Sequence, residues 1–353
     1  MTPRSVRHGE GWPERFAVVG GAPRCGTTSL SKFLAAHPEV CFSSVKETHF
    51  LLLNDLIDAD ETTLRRAIAE NYLPRYFSAC AADARLWAEG SVSFIYAPEA
   101  AKQLRRLWPD TRFVIALRDP MEMLPSLHER NLYQGDETVE AFIEAWRLTP
   151  KRARGEAIPR SCLDPRMLRY DEAARFGAHL EGLFDAVGRE RCHVILHEDI
   201  LARPATVISD LYRFLSLDHD GRRHLPRARG GRRYRSATLQ RLLKRPPGKL
   251  STLLAGRHHH QRVKPIGSGS QPDRSERFFE GLFRARKRLL ELNTRPSSRA
   301  PLPLDLRREI RSSFLDDVAR LSKLLERDLS HWLAVEEDAM PAIRNRARVK
   351  AGG

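Results

Sequence analysis

The sequence predicts an α/β fold in which a mostly parallel sheet is covered by helices on both faces. Three observations carry this reading. Short apolar β-type runs alternate with helix-compatible segments from about residue 15 to 220. Phe113-Val114-Ile115-Ala116-Leu117 is an unbroken apolar run of the kind that central parallel strands show. Phe16-Ala17-Val18-Val19 leads directly into Gly20-Gly21-Ala22-Pro23-Arg24-Cys25-Gly26-Thr27-Thr28-Ser29-Leu30, a strand, a Gly-rich loop and a helix start in immediate succession. At 353 residues the chain is long enough for one large α/β domain with additions and a sizeable core.

Taken in order, residues 1–14 are a polar segment with no apolar signal core. Strand one runs from about Arg15 to Val19, and Thr27 to Ala36 is a helix with Leu30, Phe33 and Leu34 at helical spacing, closed by His37-Pro38. Val40-Cys41-Phe42 is a second strand that delivers Ser43-Ser44-Val45-Lys46-Glu47-Thr48-His49-Phe50. Asp60 to Tyr72 is predicted helical, with Leu64, Ala67, Ile68 and Tyr72 on one face. Leu86-Trp87-Ala88 is a strand ending at Glu89-Gly90-Ser91, and Pro98 to Trp108 a helix. The central strand ends at Arg118-Asp119-Pro120, and a helix starting at Pro120, the favoured first helical position, carries Ser126 about two turns in. Thr138 to Leu148 and Tyr170 to Val187 are further helices, followed by the strand Cys192 to Leu196 and a helix from Ala205 to Leu215. Residues 15–220 therefore form the core.

The composition changes after it. Gly221 to Lys264 contains no acidic residue and fourteen Lys or Arg, comparable to the +15 net charge of the whole chain. Residues 221–272 are expected to be a basic, partly ordered segment with one short helix at Thr238 to Leu243. Residues 273–353 carry two helices, Ser275 to Leu292 and Leu304 to Leu325, which complete the same domain, with Trp332 docking on its body. The positive charge favours phosphate-bearing ligands, acidic glycans, nucleic acid or an anionic surface and says nothing about chemistry. Five scattered cysteines without C-x-x-C pairs indicate neither a disulfide framework nor a zinc site, so a cytoplasmic setting is expected. No stretch approaches the ~20 apolar residues of a membrane span.

The chemistry centres on the loop. From Gly21 the spacing is G-x-x-x-x-G, followed by Thr27-Thr28. The nucleoside-triphosphate version has Lys where Thr27 stands, and that Lys reaches the β- and γ-phosphates. The loop and helix start can still hold a phosphate, while the cation appears at Arg24 instead. Strand ends converge on the crevice of such sheets, which brings Lys46, Glu47 and His49 toward the loop. Glu47 or His49 could take a proton from a hydroxyl, the alternative being a solvated loop with a Lys46–Glu47 ion pair. Arg118 and Ser126 offer a cation and a hydroxyl for a second phosphate. The rival there is a magnesium site on Asp119, disfavoured by the missing loop lysine. His258-His259-His260 is three consecutive side chains in a basic loop and is not expected to hold a metal. Cys25 is expected to pack as a small residue.

Together these residues resemble the PAPS-dependent sulfotransferases, especially bacterial and carbohydrate-type members. G-A-P-R-C-G-T-T-S-L is similar to that family's loop for the donor's 5′-phosphosulfate, K-E-T-H-F to its K-E-P-H-F base segment, and L-R-D-P with Ser126 to its 3′-phosphate site. His197-Glu198-Asp199, Arg213-Phe214-Leu215 and the terminal R-D-L-S-x-W also look familial. The resemblance implies a P-loop-like three-layer sandwich with extra C-terminal helices and transfer of a sulfuryl group from 3′-phosphoadenosine 5′-phosphosulfate (PAPS) to a hydroxyl, without a metal. Glu47 would be the base, with His49 and Lys46 beside it. Arg24 would stand where relatives carry Lys, at the leaving phosphate. Arg24, Cys25, Gly26, Thr27, Thr28 and Ser29 would hold the 5′-phosphate, and Arg118 with Ser126 the 3′-phosphate. Two departures stand out: Thr48 replaces a family Pro, which should loosen the base segment, and Gly90 replaces a family Lys. The R-K-G-x-x-G-D-W-K segment of the small-phenol branch is absent, which points away from phenol and steroid acceptors; the expected acceptor is a hydroxyl of a carbohydrate, glycolipid or other metabolite. The rival classes are an anion- or nucleic-acid-binding protein without transfer chemistry, for which Lys46-Glu47-x-His49 has no use, and a small-molecule kinase. Segment 221–264 could add peripheral contact with an anionic surface.

Overall fold

The computed structural model describes residues 12–81, 84–226, 231–244, 274–296 and 302–334. In chain order the elements are β1 (Phe16–Gly21), α1 (Thr27–Ala35), β2 (Val40–Phe42), α2 (Phe50–Leu53), α3 (Glu61–Ala67), α4 (Leu73–Tyr76), β3 (Leu86–Glu89) and α5 (Pro98–Leu107). There follow β4 (Arg112–Leu117), α6 (Pro120–Gln134), α7 (Phe142–Arg147), α8 (Thr149–Ala153), α9 (Tyr170–Ala173), α10 (Phe176–Val187), β5 (Cys192–Leu196), α11 (His197–Ala202) and α12 (Pro204–Leu215). The chain continues with β6 (Arg232–Tyr234), α13 (Ala237–Lys244), α14 (Arg274–Leu292), β7 (Thr294–Pro296) and α15 (Leu304–Leu325).

Strands β1 to β5 form a five-stranded sheet in the order β2-β3-β1-β4-β5, with every pairing parallel. The expected α/β class is therefore observed. β1 is buried along its whole length, and β4 is buried apart from Arg112, as their continuous apolar runs require. From β1 the chain turns to one side through β2 and β3, then crosses to β4 and β5 on the other. That reversal opens a crevice at the carboxyl ends of the strands. The loops after β1, β2, β3 and β4 all leave from that end.

Several elements differ from expectation for identifiable reasons. The helix predicted from Thr138 starts only at Phe142, because the Glu137 carboxylate accepts the amides of Thr138 and Val139 and keeps them out of helical pairing. Glu137 also pairs with Arg152 at 2.8 Å, both side chains fully buried, and accepts the Tyr170 hydroxyl at 3.1 Å. Losing that last bond in Tyr170→Phe should lower unfolding free energy by about 2 kcal/mol, measurable by denaturant titration. The helix predicted over Tyr170 to Val187 is broken before Phe176, and α10 takes its cap from elsewhere. Asp317 of α15 accepts the amides of Gly177 at 2.8 Å and Ala178 at 2.9 Å. Asp60 caps α3 through the Thr63 amide, and a π-helical turn at Ile68–Tyr72 separates α3 from α4.

The cysteine reading is corrected. Cys41 of β2 and Cys80 form a disulfide, with Cα atoms 5.5 Å apart and the two residues 39 positions apart in sequence. Sequence spacing carried no sign of it, because the pair is created by tertiary approach. The Ser44 amide after β2 bonds the Tyr76 carbonyl at 2.8 Å, which brings the end of α4 beside β2. Cysteine usage therefore supplies no argument for a reducing compartment. No helix among the described residues is long and apolar enough to cross a membrane.

The two late motifs meet in space. Trp332 is buried, and its indole donates to Glu198 at 2.8 Å, while His331 also reaches Glu198 and Arg327 pairs with Asp199. His197-Glu198-Asp199 and the R-D-L-S-x-W segment thus form one latch that ties the chain after α15 to the end of β5. The His258 to His260 tract, residues 245–273 of the basic segment and residues 1–11 lie outside the described residues.

Candidate active site

The loop after β1 is shaped by close packing. A Cβ on Gly21 would lie 2.6 Å from Ile95 Cγ2, so only glycine fits there. Gly26, at φ 99°, is the left-handed residue that starts α1. The amides of Ser29 and Leu30 turn back onto the Gly26 carbonyl, and no acidic side chain occupies the first turn. The N-terminus of α1 therefore presents amide dipoles at the loop, the arrangement that favours an anion. Thr27 and Ser29 are buried there and Thr28 is exposed. Arg24 is also left-handed, at φ 66°, and its Nε donates to Ser126 Oγ at 2.8 Å. The loop is thereby tied to α6. The Cys25 side chain is sealed in the core, and burial pushes its thiol up to about 12, so packing is its role.

The segment after β2 lies across this loop. The Glu47 amide donates to the Gly90 carbonyl at 3.0 Å, and Glu47 and His49 adopt left-handed φ values of 64° and 46°. Residues two apart on an extended stretch would point to the same side. Glu47 and His49 converge instead through tight turns, with His49 Nε2 4.0 Å from Glu47 Oε2. Three non-glycine residues in the left-handed region, Arg24, Glu47 and His49, gather at one crevice, as strained backbone does at functional sites. Lys46 Nζ donates to Glu47 Oε1 at 2.6 Å. Burial pushes the Glu47 carboxyl up, but the Lys46 ammonium beside it, with Arg130 and His49, outweighs that and holds it below the usual carboxylate range. Burial pushes the His49 imidazole down, and its Nδ1 lies 2.8 Å from Ser93 Oγ.

Thr48 was expected to loosen this segment and does the reverse. It is buried, and its hydroxyl donates to Glu89 Oε2 at 2.5 Å. Ser91 donates to the same oxygen at 3.1 Å and accepts the His49 amide at 3.0 Å. Glu89, with its carboxyl pushed up by burial, thus anchors the turn that aims Glu47 and His49. Sequence reasoning missed this role, because nothing in the spacing links residue 89 to residue 48. Gly90 is also explained sterically: a Cβ there would lie 2.6 Å from Ser31 Oγ and 3.2 Å from Lys46 Cγ, so Lys46 occupies the space beside it.

Between the loop and the base segment lies a cavity of about 560 Å³ lined by Arg24, Thr27, Thr28, Glu47, Arg130 and Tyr133 among others. Glu129, Arg130 and Tyr133 follow Ser126 at helical spacing on α6, a periodicity that could have found them. Lys32 and Arg232 also line the cavity. Arg118, at the end of β4, pairs with Glu122 at 2.8 Å, whereas Ser126 takes Arg24 as its partner. Asp119 caps α6 by accepting the Met121 amide at 2.8 Å, and burial pushes its carboxyl up to about 7. That capping role gives the acid after the central strand a structural use.

A parallel sheet with a phosphate loop at its switch point defines the chain as a P-loop-like α/β protein. A family model for the sulfotransferase family matches residues 17–221. The chain belongs to the sulfotransferase family. Among solved structures it is similar to a sulfotransferase from Alicyclobacillus acidocaldarius, at 22% identity and TM-score 0.57, covering 92% of this chain and 99% of that one. It also matches the sulfotransferase domain from the Synechococcus PCC 7002 olefin synthase, at 16% identity and TM-score 0.36, covering 81% of this chain and 96% of that one. Among curated sequences no significant match is found. The first of these likenesses supports the fold, and the family match supports sulfuryl transfer in general.

Proposed function

We propose that this chain transfers a sulfuryl group from PAPS to a hydroxyl of a carbohydrate, glycolipid or other metabolite, with Glu47 as general base. The observation that carries the reading is the meeting of Arg24, Thr27, Thr28 and Glu47 around one cavity at the switch point. An anion cradle and an ionised carboxylate on the same cavity are what this transfer needs. A loop without the γ-phosphate lysine suits a donor with a single phosphate beside the reacting group.

In this reading Gly26, Thr27, Thr28 and Ser29 hold the 5′-phosphate through amides and hydroxyls at the α1 N-terminus, and the Cys25 backbone completes the turn. Arg118 and Ser126 serve the 3′-phosphate, and Arg232 closes over the donor from the basic segment. Glu47 takes the proton of the acceptor hydroxyl as its oxygen attacks sulfur. The sulfur–oxygen bond to the 5′-phosphate breaks, and its electron pair remains on the departing 3′,5′-ADP. Arg24 stabilises the charge that builds on that phosphate and on the transferring group. His49 is neutral near pH 7 and positions the hydroxyl, while Lys46 keeps Glu47 ionised. Preorganised cations and positioning supply the catalysis, as in phosphoryl transfer.

Calorimetric titration with 3′,5′-ADP tests the donor assignment. Saturable binding without added metal is expected. Failure to bind it, or binding of ATP with magnesium in its place, overturns the reading. The pH profile tests the base. A base must be deprotonated to act, so kcat/KM falls as pH drops through its pKa. Glu47 is held below 4.5, so the profile should be flat from about pH 6 to 8, with any acid limb lower still. An acid limb lying between the ordinary carboxylate and imidazole ranges would instead assign the proton transfer to His49, which burial holds below the usual imidazole value.

A further inference from the structure

We propose that the lobe formed by α13 and α14 is a docking surface for an anionic lipid bilayer. In these two helices, residues 237–244 and 281–292 contribute nothing to the hydrophobic core. On α14, Leu282, Leu289 and Leu292 are 37%, 43% and 65% exposed, and Ala285 is exposed with them. Their spacing of three and four residues places all four on one side of the helix. The other side is the one in use: Phe283, Arg286 and Leu290 are half-buried, and Arg286 Nε donates to the Leu243 carbonyl of α13 at 2.7 Å. On α13, Leu242 is 54% exposed beside the exposed Arg241. Single exposed leucines are ordinary, but an outward apolar stripe on one helix is not.

The charge around the stripe selects its occupant. Within residues 281–292 of α14, Arg284, Lys287 and Arg288 are exposed, against Glu291 as the acidic residue there. An apolar arc bordered by arginine and lysine is the arrangement of a helix lying in a membrane interface, with leucines in the acyl boundary and cations at anionic headgroups. A second copy of the chain would bring these cations, and two net charges of +15, against each other. A nucleic acid would use the cations and leave the leucines exposed.

The lobe is fixed to the wall of the cavity. Gln240 donates to the Tyr133 carbonyl at 2.6 Å, Lys244 to Gln134 Oε1 at 2.9 Å, and the Tyr133 hydroxyl lies 3.0 Å from Thr294 Oγ1. Tyr133 and Gln134 both line the cavity. Resting on the sulfuryl-transfer reading, docking would bring the cavity to acceptor hydroxyls carried by membrane lipids.

The test is co-sedimentation of the full chain with vesicles of phosphatidylcholine alone and of phosphatidylcholine mixed with phosphatidylglycerol. Binding to the mixed vesicles that weakens with salt is expected, with little binding to phosphatidylcholine. The triple variant Leu282→Ser, Leu289→Ser, Leu292→Ser should lose partitioning by about tenfold or more. Because these side chains are exposed, its melting temperature should match the parent's. The proposal is overturned if the mixed vesicles leave the protein in solution or if the triple variant binds like the parent. It is overturned equally if sedimentation velocity finds a dimer that the variant dissolves. Titration with 3′,5′-ADP on the same samples separates the two readings: vesicle binding without nucleotide binding sinks the donor assignment alone, and the reverse sinks the docking surface alone.

Discussion

Replacing Glu47 with glutamine should abolish most turnover, by roughly 10²- to 10⁴-fold in kcat, while 3′,5′-ADP binds as before. The reasoning starts from geometry. Glu47 lines the cavity opposite the phosphate loop, its carboxylate is ionised, and its ammonium partner Lys46 is 2.6 Å away. Glutamine keeps the size and can still accept the Lys46 hydrogen bond, so the turn is preserved while the proton acceptor of the proposed reading is lost. The amide of residue 47 still reaches the Gly90 carbonyl, which a side-chain change leaves alone. Single-turnover kinetics beside calorimetry make the check. Unchanged turnover in Glu47→Gln would remove the base assignment, whereas loss of nucleotide binding as well would point to a structural role.

Arg24→Ala should raise the barrier by on the order of 3 kcal/mol, about a hundredfold or more in kcat/KM. Arg24 is the loop's own cation, tied at 2.8 Å to Ser126 across the crevice. On the proposed reading its removal takes away charge stabilisation at the bond that breaks, and it also removes the Arg24–Ser126 tie between the loop and α6. Arg24→Lys separates the two effects, because a lysine keeps the charge without the fixed guanidinium fork. Recovery of most activity in Arg24→Lys assigns the effect to charge. Full activity in Arg24→Ala would refute any role at the reacting centre.

Much of the fold was legible because it rests on local pattern. The apolar runs of β1 and β4, proline at the start of α6 and the glycine spacing of the loop are short-range signals, and each stands where expected. The candidate site was legible to the extent that its residues sit directly after strands, since parallel strand ends converge on one crevice. Sequence could not reveal the contacts made by distant segments folding together. The Glu89–Thr48 bond joins residues 41 apart, Asp317 caps a helix 140 residues earlier, and Cys41 finds Cys80. None of these leaves a periodic trace, because each depends on where two elements come to lie.

The chain's own sequence therefore determined the class of fold, the glycine-rich loop with Thr27 where a nucleoside-triphosphate loop carries lysine, and the family. Tertiary structure alone decided that Arg24 is held by Ser126, that Glu47 and His49 meet through left-handed turns, and that the leucines of α14 face outward. The physical reason is range: propensity and periodicity act over a few residues, whereas orientation at a site is set by packing between elements far apart in the chain.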